Sequence, residues 1–515
     1  MKEKLKKISN ILQKFTYVYQ FIFSLFFAII IYKLFITKSI YNVWNKWYLL
    51  YAILLGIINL EFIIFHIYKY RKKIEKMFLN FAIPIGMLFL VFLIPSQVPD
   101  ELAHMIKTYE VSKGIMFTKI DENGESKITV PEELLEYNHN KINNYQKLNE
   151  QFSKTTDYNK NVDTISSAQG YPAILYFTPA LGLLIGRSLG INLVISIYIA
   201  KILNFILFLT LGYFTIKKMP FGKIVMTIYL LMPMMLQQAI SFSADVLINA
   251  ISLYYIAYII NLIFEKDNIS KKELIIYCIL TVLVAISKTV YISLAGIGLL
   301  LIFRKNIKKK YKIIFLTLSI ILGISAALCT YVGTSMYTSK TEATKIYEEQ
   351  LNVNGSEQIK QIIENPINFL GVIINDRITN IEQYIFSCIG SKLGWLDIKI
   401  DNLIIYLYML VLLTSCIVEK NKHRFKVLEK IWLLLIVAGT VILTQTAMYI
   451  AFTPVGANFI GGVQGRYFVP VFILPLLCIC MKDNYIKIKN IEVIMPAIAS
   501  LLNVLVVITI FTVLK

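Results

Sequence analysis

The chain has 515 residues, of which 57% are hydrophobic and only 16% charged, against about 25% charged in soluble domains. Its net charge of +20 first suggests a nucleic-acid binder, but the lysines gather in short turns between apolar runs, as the positive-inside rule expects of a membrane protein. That distribution excludes a soluble enzyme and a nucleic-acid partner alike.

The first apolar run, Phe15 to Phe35, follows the basic stretch MKEKLKKISNILQK. It is too long for a signal peptide and no small-residue cleavage site follows, so it reads as a first transmembrane helix. A bilayer core about 30 Å thick needs about 20 apolar residues in helical form. Runs of that kind predict further spans near 47–68, 77–94, 191–216, 222–240, 245–264, 273–288, 289–303, 313–333, 403–418, 431–450, 467–481 and 491–513, thirteen in all. The fold expected is an all-α integral membrane protein. It divides into an N-terminal helix pair (1–76), a membrane core (77–481) and a C-terminal helix (482–515).

Basic turns fall at 2–14, 69–76, 217–223, 266–272, 304–312, 420–430 and 482–489. If all face the cytoplasm, an even number of crossings separates each neighbouring pair. Parity holds only if 171–190, with two Pro and three Gly, is a re-entrant or juxtamembrane element rather than a span. The N-terminus is then cytoplasmic and the C-terminus outside. The loops 95–170 and 334–402 face outward, and both are net acidic. The six cysteines, Cys278, Cys329, Cys388, Cys416, Cys478 and Cys480, show neither metal-ligand spacing nor a disulfide pattern, and read as small core residues.

In the first loop, the residues after Pro99 suit a short amphipathic helix at the interface, with Asp100 and Glu101 in its first turn. The stretch 136–163 is poor in aliphatics and reads as flexible. In the second loop, Asn365-Pro366 starts a helix. Leu370, Ile373, Ile374, Ile378, Ile381 and Ile385 share one face of it, which would lie on the membrane surface.

Ionisable groups collect at the expected outer boundary, and each has two readings. Asp100 and Glu101 form a general base or cation ligand, or else cap a helix. His104 is a ligand, an orienting partner or a surface histidine. Asp245 is a second acid or a cap. Lys288 meets an anionic lipid head group or snorkels. Arg377 sits at the same level. Arg466, in GGVQGRYFVP with Gln464 and Tyr467, offers a planar fork to phosphate or anchors a helix; only six of the 52 basic residues are Arg. Trp395 stacks on a sugar or joins an aromatic belt. Glu61 and His66, inside an N-terminal span, mark an ion path or pack as buried partners.

The segments VPDELAH (98–104), SFSADVLINA (241–250), SKTVY (287–291), GSKLGWLD (390–397) and GVQGRYFVP (462–470), in this order, resemble the bacterial membrane proteins grouped as domain of unknown function 2142. That family is similar to the GT-C superfamily of membrane glycosyltransferases, which use polyprenyl-phosphate-linked sugars at the outer face. The resemblance implies a GT-C-like core, an acidic motif in the first outer loop, matched by Asp100 and Glu101, and juxtamembrane elements after it, matched by 171–190. Adjacent Asp100 and Glu101 stand in place of a spaced DxD; any divalent cation, Mg or Mn, would be held there.

The function expected is sugar transfer from a membrane lipid-linked donor to an extracytoplasmic glycan, lipid or protein acceptor. Asp100 would be the base, assisted by Glu101 or Asp245. His104, Lys288, Arg377, Trp395, Gln464, Arg466 and Tyr467 would bind substrate. The alternative is a transporter or flippase of lipid-linked saccharides, although no internal repeat of the transporter kind is visible.

Overall fold

The computed structural model describes residues 15–122, 124–266, 268–303, 308–335, 340–482 and 488–515. The basic turn at 2–14, parts of those at 304–312 and 482–489, and the Cys329 side chain lie outside the description.

The chain is built from helices. A hairpin of α1 (Thr16–Tyr41) and α2 (Lys46–Tyr70) packs on α3 (Ile74–Phe92). The first polar stretch holds α4 (Glu101–Ser112), β1 (Ile128–Pro131), α5 (Tyr145–Phe152) and β2 (Asn161–Thr164). Next, α6 (Phe177–Ser188) packs along α7 (Leu193–Lys218). Short α8 (Lys223–Leu230) and α9 (Pro233–Ala239) lead to α10 (Asp245–Glu265) and α11 (Lys271–Ser287). A 3-10 segment, Thr289–Phe303, precedes α12 (Lys309–Ser335). The second polar stretch holds α13 (Glu342–Leu351), α14 (Gly355–Glu364), α15 (Pro366–Ile389) and the antiparallel pair β3 (Lys392–Leu393) and β4 (Ile398–Lys399). The chain then forms α16 (Asn402–Val418), α17 (Val427–Phe452), a 3-10 turn (Gly465–Phe468), α18 (Val469–Ile479) and α19 (Ile491–Leu514).

Seven described helices, α1, α2, α3, α7, α10, α17 and α19, are long and apolar enough to cross a membrane. Thirteen spans are expected from the sequence; of the other apolar stretches, α12 runs 27 residues without a break, whereas α11, 289–303, α16 and α18 are each 17 residues or shorter. In α10, 83% of the most apolar window is buried, against 11% in α2. An apolar helix thus lies at the centre, and the N-terminal hairpin forms the rim.

Polar side chains fix that rim. Asn80 of α3 accepts from Gln20 Nε2 (3.2 Å) and bonds His66 Nδ1 (3.1 Å), while His66 Nε2 meets Thr16 Oγ1 (3.0 Å). His66 is fully buried, whereas Glu61 faces outward, so the two do not form a pair.

Four local expectations are corrected. The segment 222–240 is two helices rather than one span, because Pro233 drives Met232 out of the helical region (ψ 142°). Residues 289–303 form a 3-10 rather than an α-helix; at about 2.0 Å per residue they extend about 30 Å, where an α-helix would extend about 22 Å. Helix α4 does not lie on the interface: ten of its twelve residues are buried. The stretch 136–163 is ordered over it, because tyrosines supply the apolar area that aliphatics do not. Tyr137, Tyr145 and Leu148 are buried, Tyr145 donates to Phe92 O (2.8 Å), and β2 pairs with β1.

The expected start of α15 at Pro366 holds. Leu370, Ile374, Ile378 and Ile381 are exposed along it, but Ile373 turns inward onto Tyr449 and Ile460. Helix α8 is capped from the far end of the chain. Asn421 Oδ1 accepts from Gly222 N (2.9 Å), and Glu419 accepts from Lys223 N and Ile224 N (both 2.8 Å). A carboxylate there satisfies orphan N–H groups and the positive end of the helix dipole together.

Candidate functional site

Adjacent Asp100 and Glu101 point in opposite directions. Glu101 is fully buried. Its Oε2 accepts from Ser96 N (2.7 Å) and Val98 N (3.4 Å), its Oε1 from Phe242 N (3.2 Å), and Lys201 Nζ stands 3.9 Å away. These bonds hold the loop 96–100 in an unusual course, with Ser96 at φ +76° and Asp100 at φ +62°. Residues in the left-handed region persist where their surroundings over-determine them, and Asp tolerates it better than most. Trp395 adds a further tie, its Nε1 donating to Ser96 O (3.0 Å).

Held this way, the Asp100 side chain is 54% exposed and its Oδ2 lies 3.4 Å from Arg466 Nη2. Arg466 Nη1 lies 3.9 Å from Asp245 Oδ2, at the first residue of α10. The Arg466 side chain is only 5% exposed, and its Nε is a buried donor without a partner. Such an orphan in a folded interior calls for an explanation, an acceptor from outside the chain being one. Gly465 brings Arg466 here: a Cβ at this position would collide with Cys388 N and Tyr384 O at the end of α15.

The Tyr467 ring is near both cations. Lys288 Nζ lies 4.3 Å from its ring centroid and Arg466 Cζ 5.3 Å, distances at which a cation gains from an aromatic face. Tyr291 donates to Tyr467 O (2.9 Å). On the other side, His104 Nδ1 meets Tyr176 Oη (2.8 Å), and its ring packs edge-on to Tyr171 at 5.6 Å. Burial pushes the His104 imidazole below its ordinary value, against the pull of Asp100 and Asp245 and with the push of Arg466 and Lys288. It is therefore neutral near pH 7.

Six expected residues thus converge: Asp100, His104, Asp245, Lys288, Arg466 and Tyr467. Tyr171, Tyr176 and Tyr291 join them; sequence reasoning missed these, although Tyr171 opens the re-entrant stretch. Four others stand differently. Glu101 is spent on the fold and turns away from the cleft. Arg377 bonds Gln445 (3.0 Å) beside Asp376, which accepts from Tyr384 (2.8 Å), and Tyr384 packs on Phe468 at 5.4 Å. Trp395 braces Ser96 and packs on His139 at 5.4 Å. Gln464 is half-buried, its Oε1 without a partner. Among the described residues no three His, Cys, Asp or Glu side chains gather as a metal site requires. Arg466 already fills the place between the two carboxylates, so a divalent cation does not fit.

Helices of crossing length around a polar cleft define a multi-pass α-helical membrane protein. Within that class, the sequence model of a family described as predicted membrane protein, domain of unknown function 2142, matches residues 83–475, and the chain belongs to that family. The match contains all nine residues of the cleft. No curated protein and no solved structure matches the chain.

The opposed roles of the two acids predict opposed phenotypes. Glu101→Ala leaves Lys201 buried without its counter-charge and should cost about 3–5 kcal/mol. Asp100→Asn keeps a residue that accepts positive φ and breaks a half-exposed pair, so it should cost about 1 kcal/mol or less. Thermal unfolding in detergent compares them; equal losses would contradict this division.

Proposed function

We propose that this protein is a membrane glycosyltransferase of the GT-C kind, moving a sugar from a polyprenyl-phosphate donor to a hydroxyl of an extracytoplasmic glycan, lipid or protein. The observation that carries the reading is the orphaned Nε of buried Arg466, with Lys288 against the Tyr467 ring and a half-exposed carboxylate alongside. Such a cleft suits an anionic leaving group and an acceptor that must lose a proton. Membership in a family of predicted membrane proteins is compatible with it.

The chemistry follows from the charges. Asp100, Asp245, Arg466 and Lys288 balance to zero, with His104 neutral. A donor phosphate entering at Arg466 competes with Asp100, the more exposed of its two carboxylates (54% against 11%), and frees that carboxylate. Asp100 then takes the proton of the acceptor hydroxyl. The hydroxyl oxygen bonds to the anomeric carbon as the bond from that carbon to the phosphate oxygen breaks. The bonding pair leaves with polyprenyl phosphate, whose growing charge Arg466 and Lys288 stabilise. Asp245 holds the guanidinium in place throughout. A single displacement inverts the anomeric centre.

Three experiments test this reading. Asp100→Asn should lower turnover of a polyprenyl-phosphate sugar in reconstituted membranes about 10²–10⁴-fold, at normal expression; unchanged turnover removes Asp100 from the reaction. Arg466→Lys keeps the charge but loses one parallel bond worth about 1.5–3 kcal/mol, or about 10- to 150-fold. It should therefore be nearly as inactive as Arg466→Ala, whereas a fully active Lys variant would reduce Arg466 to a simple charge. The sidedness is tested at exposed Asn140: a cysteine there should react with an impermeant thiol reagent from outside, and labelling only from the cytoplasm would place the cleft on the wrong face.

A further inference from the structure

A cavity of about 520 Å³ opens between α1, α3, α5 and α7, within the range of about 300–1,000 Å³ usual for ligand sites. None of its lining residues belongs to the charged cleft, and it does not depend on the proposed transfer reaction. Its lining is graded from polar to apolar. At one end stand Lys33, Tyr32 and Asn149, with Tyr32 donating to Asn149 Oδ1 (3.1 Å); at the other stand Leu25 and Ile202. Leu25 precedes Lys33 by two turns of α1, about 12 Å along the helix.

The gradient follows the membrane boundary. Its polar end is where α1 meets α5 of the first polar stretch, and its apolar end lies within the crossing helices. Ile22, Phe26, Ile29 and Lys33 recur at helical spacing on α1, and Ile22 and Phe26 are exposed. Lys33 interrupts that apolar face; it is exposed and has no carboxylate partner among the described residues. A lone cation on an apolar helix is costly unless something anionic or aqueous meets it. By contrast, a cavity of about 270 Å³ on the other flank of α1, between Phe27, Phe35, Leu88, Val504 and Phe511, has no polar lining and offers nothing to a head group.

We propose that the larger cavity holds one anionic membrane phospholipid, its acyl chain toward Leu25 and Ile202 and its phosphate on Lys33 beside Asn149. Native mass spectrometry of the full-length protein, offered equal phosphatidylglycerol and phosphatidylcholine, tests it. One phosphatidylglycerol should be retained in preference. Lys33→Leu and Ile29→Trp should each lower that retention about tenfold, as loss of a charge-assisted contact predicts, and Lys33→Arg should preserve it. Equal retention of both lipids, retention untouched by Lys33→Leu, or preferential retention of a polyprenyl phosphate would each overturn the proposal. If Ile29→Trp does not fold, the unaltered chain decides: phosphatidylglycerol with a diazirine on its acyl chain should crosslink within 25–33 or 195–202, and labelling confined to other segments would overturn it.

Discussion

A buried carboxylate organises this protein's polar side. Glu101 takes N–H groups from Ser96, Val98 and Phe242 and faces Lys201, so it joins the loop after α3, the entry to α10 and the middle of α7. Each of these N–H groups would otherwise be left without water in a low-dielectric interior, where an unmet donor costs more than a met one gains. Because Glu101 is held inward, its neighbour Asp100 is turned outward at positive φ. The base position and the bracing position are thus set by one bond network.

Arg466 extends the same logic across the cleft. It is reached only because Gly465 lets the chain pass against the end of α15, and it is held by two acids from distant stretches. A guanidinium suits this place better than an ammonium, since its nitrogens can meet separate partners in one plane. Two nitrogens face carboxylates and the third is left over. The Tyr467 ring lies within cation–aromatic distance of both Arg466 and Lys288.

Much of this was legible because ionisable residues are rare in an apolar chain. Asp245, Lys288 and Arg466 each stand at the margin of an apolar run, where burying a charge demands a partner, and they do meet. The opposite fates of Asp100 and Glu101 were not legible, since adjacent residues with the same chemistry are separated only by a backbone angle. Tyr171, Tyr176 and Tyr291 were hidden among 32 tyrosines, most of which suit a membrane interface equally well. The ordering of 136–163 is not legible from its aliphatic content, because Tyr137 and Tyr145 bury rings and Tyr145 also bonds backbone. Pro233 marks the break in 222–240 in plain sight. Nothing local, however, separates a 3-10 from an α-helix over 289–303.

The capping of α8 by Glu419 and Asn421 sets an order on biogenesis. The acceptors lie 195–199 residues beyond the N–H groups they serve. At a synthesis rate of about 5–20 residues per second, the ribosome delivers them roughly 10–40 s after α8 itself has emerged. For that interval the N–H groups at the start of this eight-residue helix are without these acceptors. The final handshake between the two halves closes only when most of the protein has been made.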